Sequence, residues 1–141
     1  MSRENVELHR RIVEAFSERD VEGLVALCDR RVEWHSLFAA VGDTVYRGPD
    51  GVRTWHRDLQ DAWGEEIRIE PEAYFDLGER TLAFNVVHGR GRESGADVAM
   101  PYAQVVRWRD GLVVYFKAYV HRDDALSELG VSEVDLEPIA P

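Results

Sequence analysis

The sequence predicts an α+β domain, a curved, mixed but mainly antiparallel sheet wrapped around helices that come first in the chain. Three observations carry this. Up to Gly64 apolar residues recur mostly at helical spacing, interrupted by one strand-like run. Beyond Gly64 the period changes to two and stays there to His121. The two strongest β-prone runs, within Met100 to His121, pivot on Asp110-Gly111, a dipeptide suited to a tight hairpin.

Composition limits what the chain can be. Its 141 residues suffice for one core, so residues 1–141 read as a single domain with its centre at about 6–129 and a tail over 131–141. A formal net charge of −10 argues against nucleic-acid binding, because phosphate contacts need clustered Lys and Arg. No apolar run approaches a bilayer span, and MSREN leads directly into an amphipathic pattern rather than a signal region; no membrane contact and a cytoplasmic location are expected. The lone Cys28 cannot form an internal disulfide and reads as helix packing.

In chain order, Val6, Leu8, Ile12, Val13 and Phe16 mark a first helix from Arg3 to Glu18. Asp20 can cap a second, with Val21, Leu24, Val25, Leu27 and Cys28 on its apolar side. Val32 to Phe38 alternates as a strand, placing Val32, Trp34 and Ser36 on one side and Glu33 and His35 on the other. Ala39 to Asp50 reads as irregular, and from Gly51 a third helix shows Val52, Trp55, His56, Leu59 and Trp63 on one face. Strands follow over Glu66–Asp76 and Arg80–Arg90, then a Gly-rich turn from Gly89 to Gly95 and the hairpin. A short helix from Asp124 to Leu129 ends at Gly130, and Glu137 to Pro141 reads as frayed.

This order of elements, with Asp20-Val-Glu-Gly-Leu-Val-Ala-Leu, Val32-Glu-Trp-His, Tyr46-Arg-Gly-Pro-Asp-Gly-Val, Ser94-Gly and Arg109-Asp-Gly…Ala118-Tyr119, resembles the SnoaL-like branch of the nuclear transport factor 2-like superfamily. The resemblance spans about Val6 to Leu129 and implies a cystatin-like cone whose concave face lines a pocket and whose convex face commonly forms a homodimer. It speaks for the fold more than for a reaction, since that superfamily holds ketosteroid isomerases, polyketide cyclases, epoxide hydrolases, dehydratases and members without chemistry. The ketosteroid isomerase mechanism does not carry over. Trp34 stands where its general-base carboxylate would be, Ile12 at its first-helix tyrosine and Gln104 at its second carboxylic acid, and neither an indole nor an aliphatic chain exchanges protons with a substrate.

Hairpin register decides which residues enter the cone, because one residue of slip exchanges the faces. A two-residue loop pairs Gln104 with Lys117; a three-residue loop Arg109-Asp110-Gly111 pairs it with Phe116. The second register is expected, because it gathers Met100, Tyr102, Gln104, Val106, Trp108, Val114, Phe116, Ala118 and Val120 on one largely apolar face. Tyr115, Lys117 and Tyr119 then face outward as a candidate homodimer surface. In the preceding strand, placing Phe84 and Val86 inward brings His88 with them.

The candidate site follows from these faces. His56 and His88 are the candidate acid/base pair, since histidine titrates near neutrality. Trp34, Trp55, Phe84, Tyr102, Gln104 and Phe116 are the candidate substrate contacts, and their aromatic walls suit a small apolar or aromatic molecule. His35 and Glu33 read as solvated, His9 beside Arg10 and Arg11 as surface. No local spacing among the histidines supports a metal, Gly89-Arg90-Gly91-Arg92 lies between strands rather than at a helix start, and no cofactor is called for. The expected protein is a small-molecule pocket, with cofactor-free isomerase, cyclase or dehydratase chemistry or as a non-catalytic ligand-binding or dimerisation module. An open cavity of roughly a few hundred Å³ reached by His56, His88, Tyr102 and Gln104 would favour the enzyme or binder reading; if Trp55, Trp34 and Phe116 fill the cone, that reading fails.

Overall fold

The structure, a computed structural model, describes residues 2–36, 45–64, 67–90 and 95–141. The expected strand end at Leu37-Phe38, most of the irregular stretch, the start of the next strand at Glu66 and the centre of the Gly-rich turn lie outside them.

Helix α1 (Ser2–Ser17) buries Val6, His9, Ile12, Val13 and Phe16, a stripe in steps of three and four that lies against the sheet. Helix α2 (Val21–Ala26) is capped by Asp20, whose carboxylate accepts from the Gly23 N–H at 2.9 Å. Strand β1 (Cys28–His35) starts earlier than its alternation indicates. Strand β2 (Val45–Arg47) runs into helix α3 (Gly48–Trp63), which likewise begins before Gly51, because Pro49 in the first turn needs no hydrogen-bonded N–H. A Cβ on Gly51 would stand 2.9 Å from the Tyr46 carbonyl carbon, so α3 packs close against β2 only with glycine there.

Strands β3 (Arg68–Leu77), β4 (Arg80–Arg90), β5 (Asp97–Arg109) and β6 (Leu112–Tyr119) complete a six-stranded curved, unclosed sheet in the order β2-β1-β6-β5-β4-β3. Among the described residues only β1 and β6 pair in parallel; the other pairings are antiparallel. Helices α1 and α3 lie on the concave face. Helix α4 (Arg122–Leu129) covers part of the convex one, where Ala125, Leu126 and Leu129 join Phe75, Leu82, Phe84, Val105 and Tyr119 in a second core.

The hairpin takes neither expected register. Asp110 and Gly111 both have positive φ, 54° and 75°, as a two-residue type I′ turn requires, and Arg109 pairs with Leu112. A bulge then shifts the ladder, so that Trp108 faces Val113 but Arg107 faces Tyr115 and Gln104 faces Ala118. The extra residue restores the parity that the shorter turn inverts. Tyr102, Gln104, Val106, Trp108, Phe116 and Ala118 therefore point inward as expected, while Val113 replaces Val114 inside and Val120 is exposed.

Strand β4 is reversed relative to expectation. Its inward residues are Thr81, Ala83, Asn85 and Val87, and Leu82, Phe84 and His88 face out. The reason is that α1 presses on this strand, Ala83 packing with Val6 and Val13, so small residues belong inside. The large ones find their burial under α4.

The C-terminal tail is also docked rather than frayed. Ile139 exchanges two backbone hydrogen bonds with Tyr74, of 2.9 and 2.7 Å, and Arg10 donates to the Ala140 carbonyl at 2.6 Å. No helix among the described residues is long and apolar enough to cross a membrane.

Arg122 fastens α4 to the sheet. It lies over the Phe84 ring at 4.7 Å, ion-pairs with Glu72 and donates to the carbonyls of Asn85 at 2.9 Å and Tyr102 at 3.4 Å. Charge-assisted bonds to buried carbonyls are worth roughly 1.5–3 kcal/mol. Arg122→Leu, which removes the guanidinium together with its cation–π contact to Phe84, is expected to lower unfolding free energy in urea by about 2 kcal/mol; a change below about 0.5 kcal/mol would show that the guanidinium contributes little.

Candidate functional site

Between α1, α3 and the concave face lies a cavity with about 30 Å³ of room, enough for one or two water molecules. Ile12 and Phe16 of α1 and Trp55 and Leu59 of α3 form two walls, and Trp34 and Phe116 form a third. The last two rings are stacked, with centroids 3.9 Å apart and planes within 8°, and Trp55 tilts against Trp34 at 5.0 Å. The cone is thus largely filled by aromatic side chains, the open cavity of roughly a few hundred Å³ is not found among the described residues, and the expectation of a preformed pocket reached by both histidines fails.

Five of the sequence-predicted contacts meet here: Trp34, Trp55, Tyr102, Gln104 and Phe116 all line the cavity. Ile12, Trp34 and Gln104, the three positions compared with a ketosteroid isomerase, converge on it too. Phe84 does not, because it packs beneath α4 on the other side of the sheet. His88 follows it outward, where its Nε2 lies 2.9 Å from a Glu70 carboxylate oxygen. His56 sits on the flank of α3, its ring against Phe16 and Trp55 at 6.5 and 6.3 Å, without lining the cavity; partial burial lowers its pKa. His35 lies outward as expected, near Glu33 and the Tyr115 ring. Cys28 is core, its thiol pushed up to about 12 by burial.

The floor of the cavity is polar and rests on a residue expected at the surface. His9 is wholly buried. Its Nδ1 lies 2.8 Å from the Thr81 hydroxyl and its Nε2 3.0 Å from Gln104 Oε1. Gln104 Nε2 donates to the Tyr102 hydroxyl at 2.9 Å, and Trp108 Nε1 donates to Thr81 at 2.8 Å. The chain has a direction. Gln104 turns its oxygen, which can only accept, towards His9, so the neutral ring's Nδ1 is left to accept the Thr81 proton, while Thr81 accepts from Trp108. His9 then carries its own proton on Nε2 and donates to Gln104, and the amide donates to Tyr102. The chain ends at the Tyr102 hydroxyl, which also meets the Asn85 side chain.

Burial, partly offset by the bond to Gln104, brings the His9 pKa down to about 4, so the imidazole is neutral. Burial likewise raises the Tyr102 hydroxyl well above its usual range. Trp34 Nε1 nearby has no partner among the described residues, and the Asn85 amide, which faces Tyr102 across the β4–β5 ladder, meets the Tyr102 hydroxyl.

His9 carried one legible signal: it falls between Val6 and Ile12 at three-residue steps, squarely in the apolar stripe. Its charged neighbours Arg10 and Arg11 obscured that spacing. Thr81 and Asn85 carried no comparable signal, because their inward placement depends on where α1 docks.

The profile of a family described as SnoaL-like domain matches residues 9–116. Among solved structures, the chain is similar to a nuclear-transport-factor-2-like protein of unknown function from Burkholderia pseudomallei, with a TM-score of 0.76, 21% identity and coverage of 88% of this chain and 95% of that one. It is similar to TerC, co-crystallised with polyporic acid, with a TM-score of 0.74, 20% identity and coverage of 89% and 97%. A protein with a ketosteroid isomerase-like fold from Catenulispora acidiphila, in complex with trimethylamine, gives a TM-score of 0.72 at 15% identity over 89% and 94%. No curated protein sequence matches the chain.

The lowered pKa gives a pH prediction. The folded value, about 4, lies below the ordinary 6.5, so above pH 6.5 His9 is neutral in both states and imposes no penalty. As pH falls from 6.5 to 4 only the unfolded chain takes up the proton, and stability drops. From this group alone the loss is about 2 kcal/mol by pH 5. The difference in urea-unfolding free energy between pH 7 and pH 5 should shrink by that amount in His9→Gln; an unchanged difference would show that His9 does not control it.

Proposed function

This chain belongs to the SnoaL-like domain family, and on that premise we propose that it binds a small apolar or aromatic molecule beneath α1 and α3, in a site that is not preformed and opens only when an aromatic wall residue moves aside, without acid/base chemistry from its histidines. One observation carries the reading. The cavity is walled by apolar and aromatic side chains, converges on the hydroxyl and amide of Tyr102 and Gln104, and is lined, among the described residues, by no group that titrates near neutrality. The small molecules held by TerC and by the Catenulispora protein support a pocket in this fold.

Catalysis by His56 and His88 lacks such support. A general base must come within hydrogen-bond reach of the proton it removes, and His88 is separated from the cavity by the sheet. His56 is nearer, yet Phe16 and Trp55 stand beside it as the wall. A homodimer through the convex face is a further part of the proposal, with Tyr115 and Lys117 outside the area that α4 covers.

With about 30 Å³ of room, a ring-sized ligand enters by displacing a wall residue, and Trp55 is the one anchored by a single hydrogen bond, from its Nε1 to Ser36 at 2.7 Å. Trp55→Ala is expected to lower stability by about 3–5 kcal/mol and to tighten binding of ethylbenzene at least about tenfold, followed by NMR titration. A folded Trp55→Ala protein that binds ethylbenzene no better than wild type would sink the pocket reading.

A further inference from the structure

We propose that residues Glu137 to Pro141 are a releasable guard on the sheet: they cover the outer edge of β3, a strand-addition surface whose partner, once the guard lifts, is the β3 edge of a second copy of this chain. The inference does not rest on the pocket. Strand β3 ends the sheet order, so among the described residues one side of its backbone has no neighbouring strand of the sheet. The strand at the other end, β2, spans three residues, whereas β3 spans ten. Its readiness to pair is visible, because Ile139 lies antiparallel to Tyr74 in an isolated bridge. The Ile139 N–H donates to the Tyr74 carbonyl at 2.7 Å and the Tyr74 N–H donates to the Ile139 carbonyl at 2.9 Å, the reciprocal pair of an antiparallel ladder.

What holds the guard is small. Ile139 packs on the cluster of Val6, Val13, Tyr74 and Ala83 but is only partly buried, and the residues on either side of it are exposed. Arg10 donates to the Ala140 carbonyl at 2.6 Å, and its guanidinium lies over the Tyr74 ring at 5.3 Å. Two backbone bonds, one charge-assisted bond and one isoleucine make a local contact that opens well below the free energy of global unfolding. Pro138 and Pro141 bracket the contact. Neither has an N–H, so pairing stops on both sides of Ile139 and Ala140, and the guard covers the edge without offering a full edge of its own.

The uncovered edge needs an extended chain that returns both kinds of bond, and β3 of another copy does so from an identical surface. A two-fold axis sets the two edges antiparallel and each then covers the other, a closed contact between like surfaces. Charge sets its conditions. Each copy has a formal net charge of −10, and β3 itself carries Glu70, Glu72 and Asp76 against Arg68, so two copies repel at low ionic strength and salt favours their pairing. This surface is distinct from Tyr115 and Lys117 on the convex face, and association there reports at its own group, the Tyr74 amide.

The test uses the full chain in two variants: Ile139→Asp, which sets a charge against the apolar cluster, and Arg10→Gln, which removes the clamp on Ala140 at less cost to folding. Sedimentation velocity across about a hundredfold range of concentration gives the particle mass, and hydrogen exchange gives the protection of the Tyr74 amide. Wild type should protect that amide at every concentration. At low concentration both variants should exchange it at least about tenfold faster. At high concentration their mass should exceed that of wild type at least about twofold, more readily in high salt, and protection at Tyr74 should return with it. An amide that opens while the mass stays at the wild-type value, even where a free peptide of residues 137–141 restores protection, overturns the second copy as partner. A mass that rises while the Tyr74 amide stays open places the contact elsewhere and overturns the proposal too. Unchanged exchange at Tyr74 in every folded variant shows that the segment is not releasable and guards nothing.

Discussion

A neutral imidazole buried between a helix and a sheet is the contact on which the architecture turns. His9 reaches from α1 to Thr81 on β4 and Gln104 on β5, so one ring fixes the helix in both position and rotation against two strands. Apolar packing between Val6, Val13 and Ala83 supplies the driving force but tolerates sliding; the two hydrogen bonds do not. Exposed to water the ring would titrate in the ordinary range. Enclosed here, it stays neutral because the cost of burying its charge exceeds what the Gln104 oxygen returns.

That contact propagates to both faces of the sheet. With α1 held close, β4 must offer small side chains inward, and Leu82 and Phe84 pass to the convex side, where α4 gives them a second core. Arg122 fastens that layer through carbonyls of Asn85 and Tyr102, whose side chains face the other way. The convex surface is therefore two regions: one sealed by α4, and one that presents Tyr115 and Lys117. On the concave side the same docking turns Gln104 and Tyr102 towards the Trp34–Phe116 stack and leaves a small, mostly apolar void.

Legibility in the sequence varied with the range of the cause. Trp34, Tyr102, Gln104 and Phe116 were readable as inward because period-two alternation in long strands fixes relative facing. The hairpin shows how narrowly this works: the expected three-residue loop and the observed two-residue turn with a bulge give the same parity by different routes, and the difference shows in Val113 and Val114 and in Gln104 meeting Ala118 rather than Phe116. Strand β4 alternates just as clearly, yet its faces were exchanged, since both are buried and apolar size does not say which core a residue joins. His56 and His88 were drawn into the site by residue type, although one sits on a helix flank and the other on the far side of the sheet.

The sequence by itself determined the α+β class, the run of elements apart from β2 and the aromatic content of the cone, because each is written in local periodicity, turn chemistry and composition; its motifs carried the family resemblance. Tertiary structure alone decided that His9 is an interior residue, that Phe84 and His88 lie outside the cone, and that the cavity shrinks to about 30 Å³. The physical reason is that each of these depends on how a helix rotates and docks against a sheet with two buried faces. That choice is made by contacts between residues as much as 95 positions apart, of which no local pattern keeps a record.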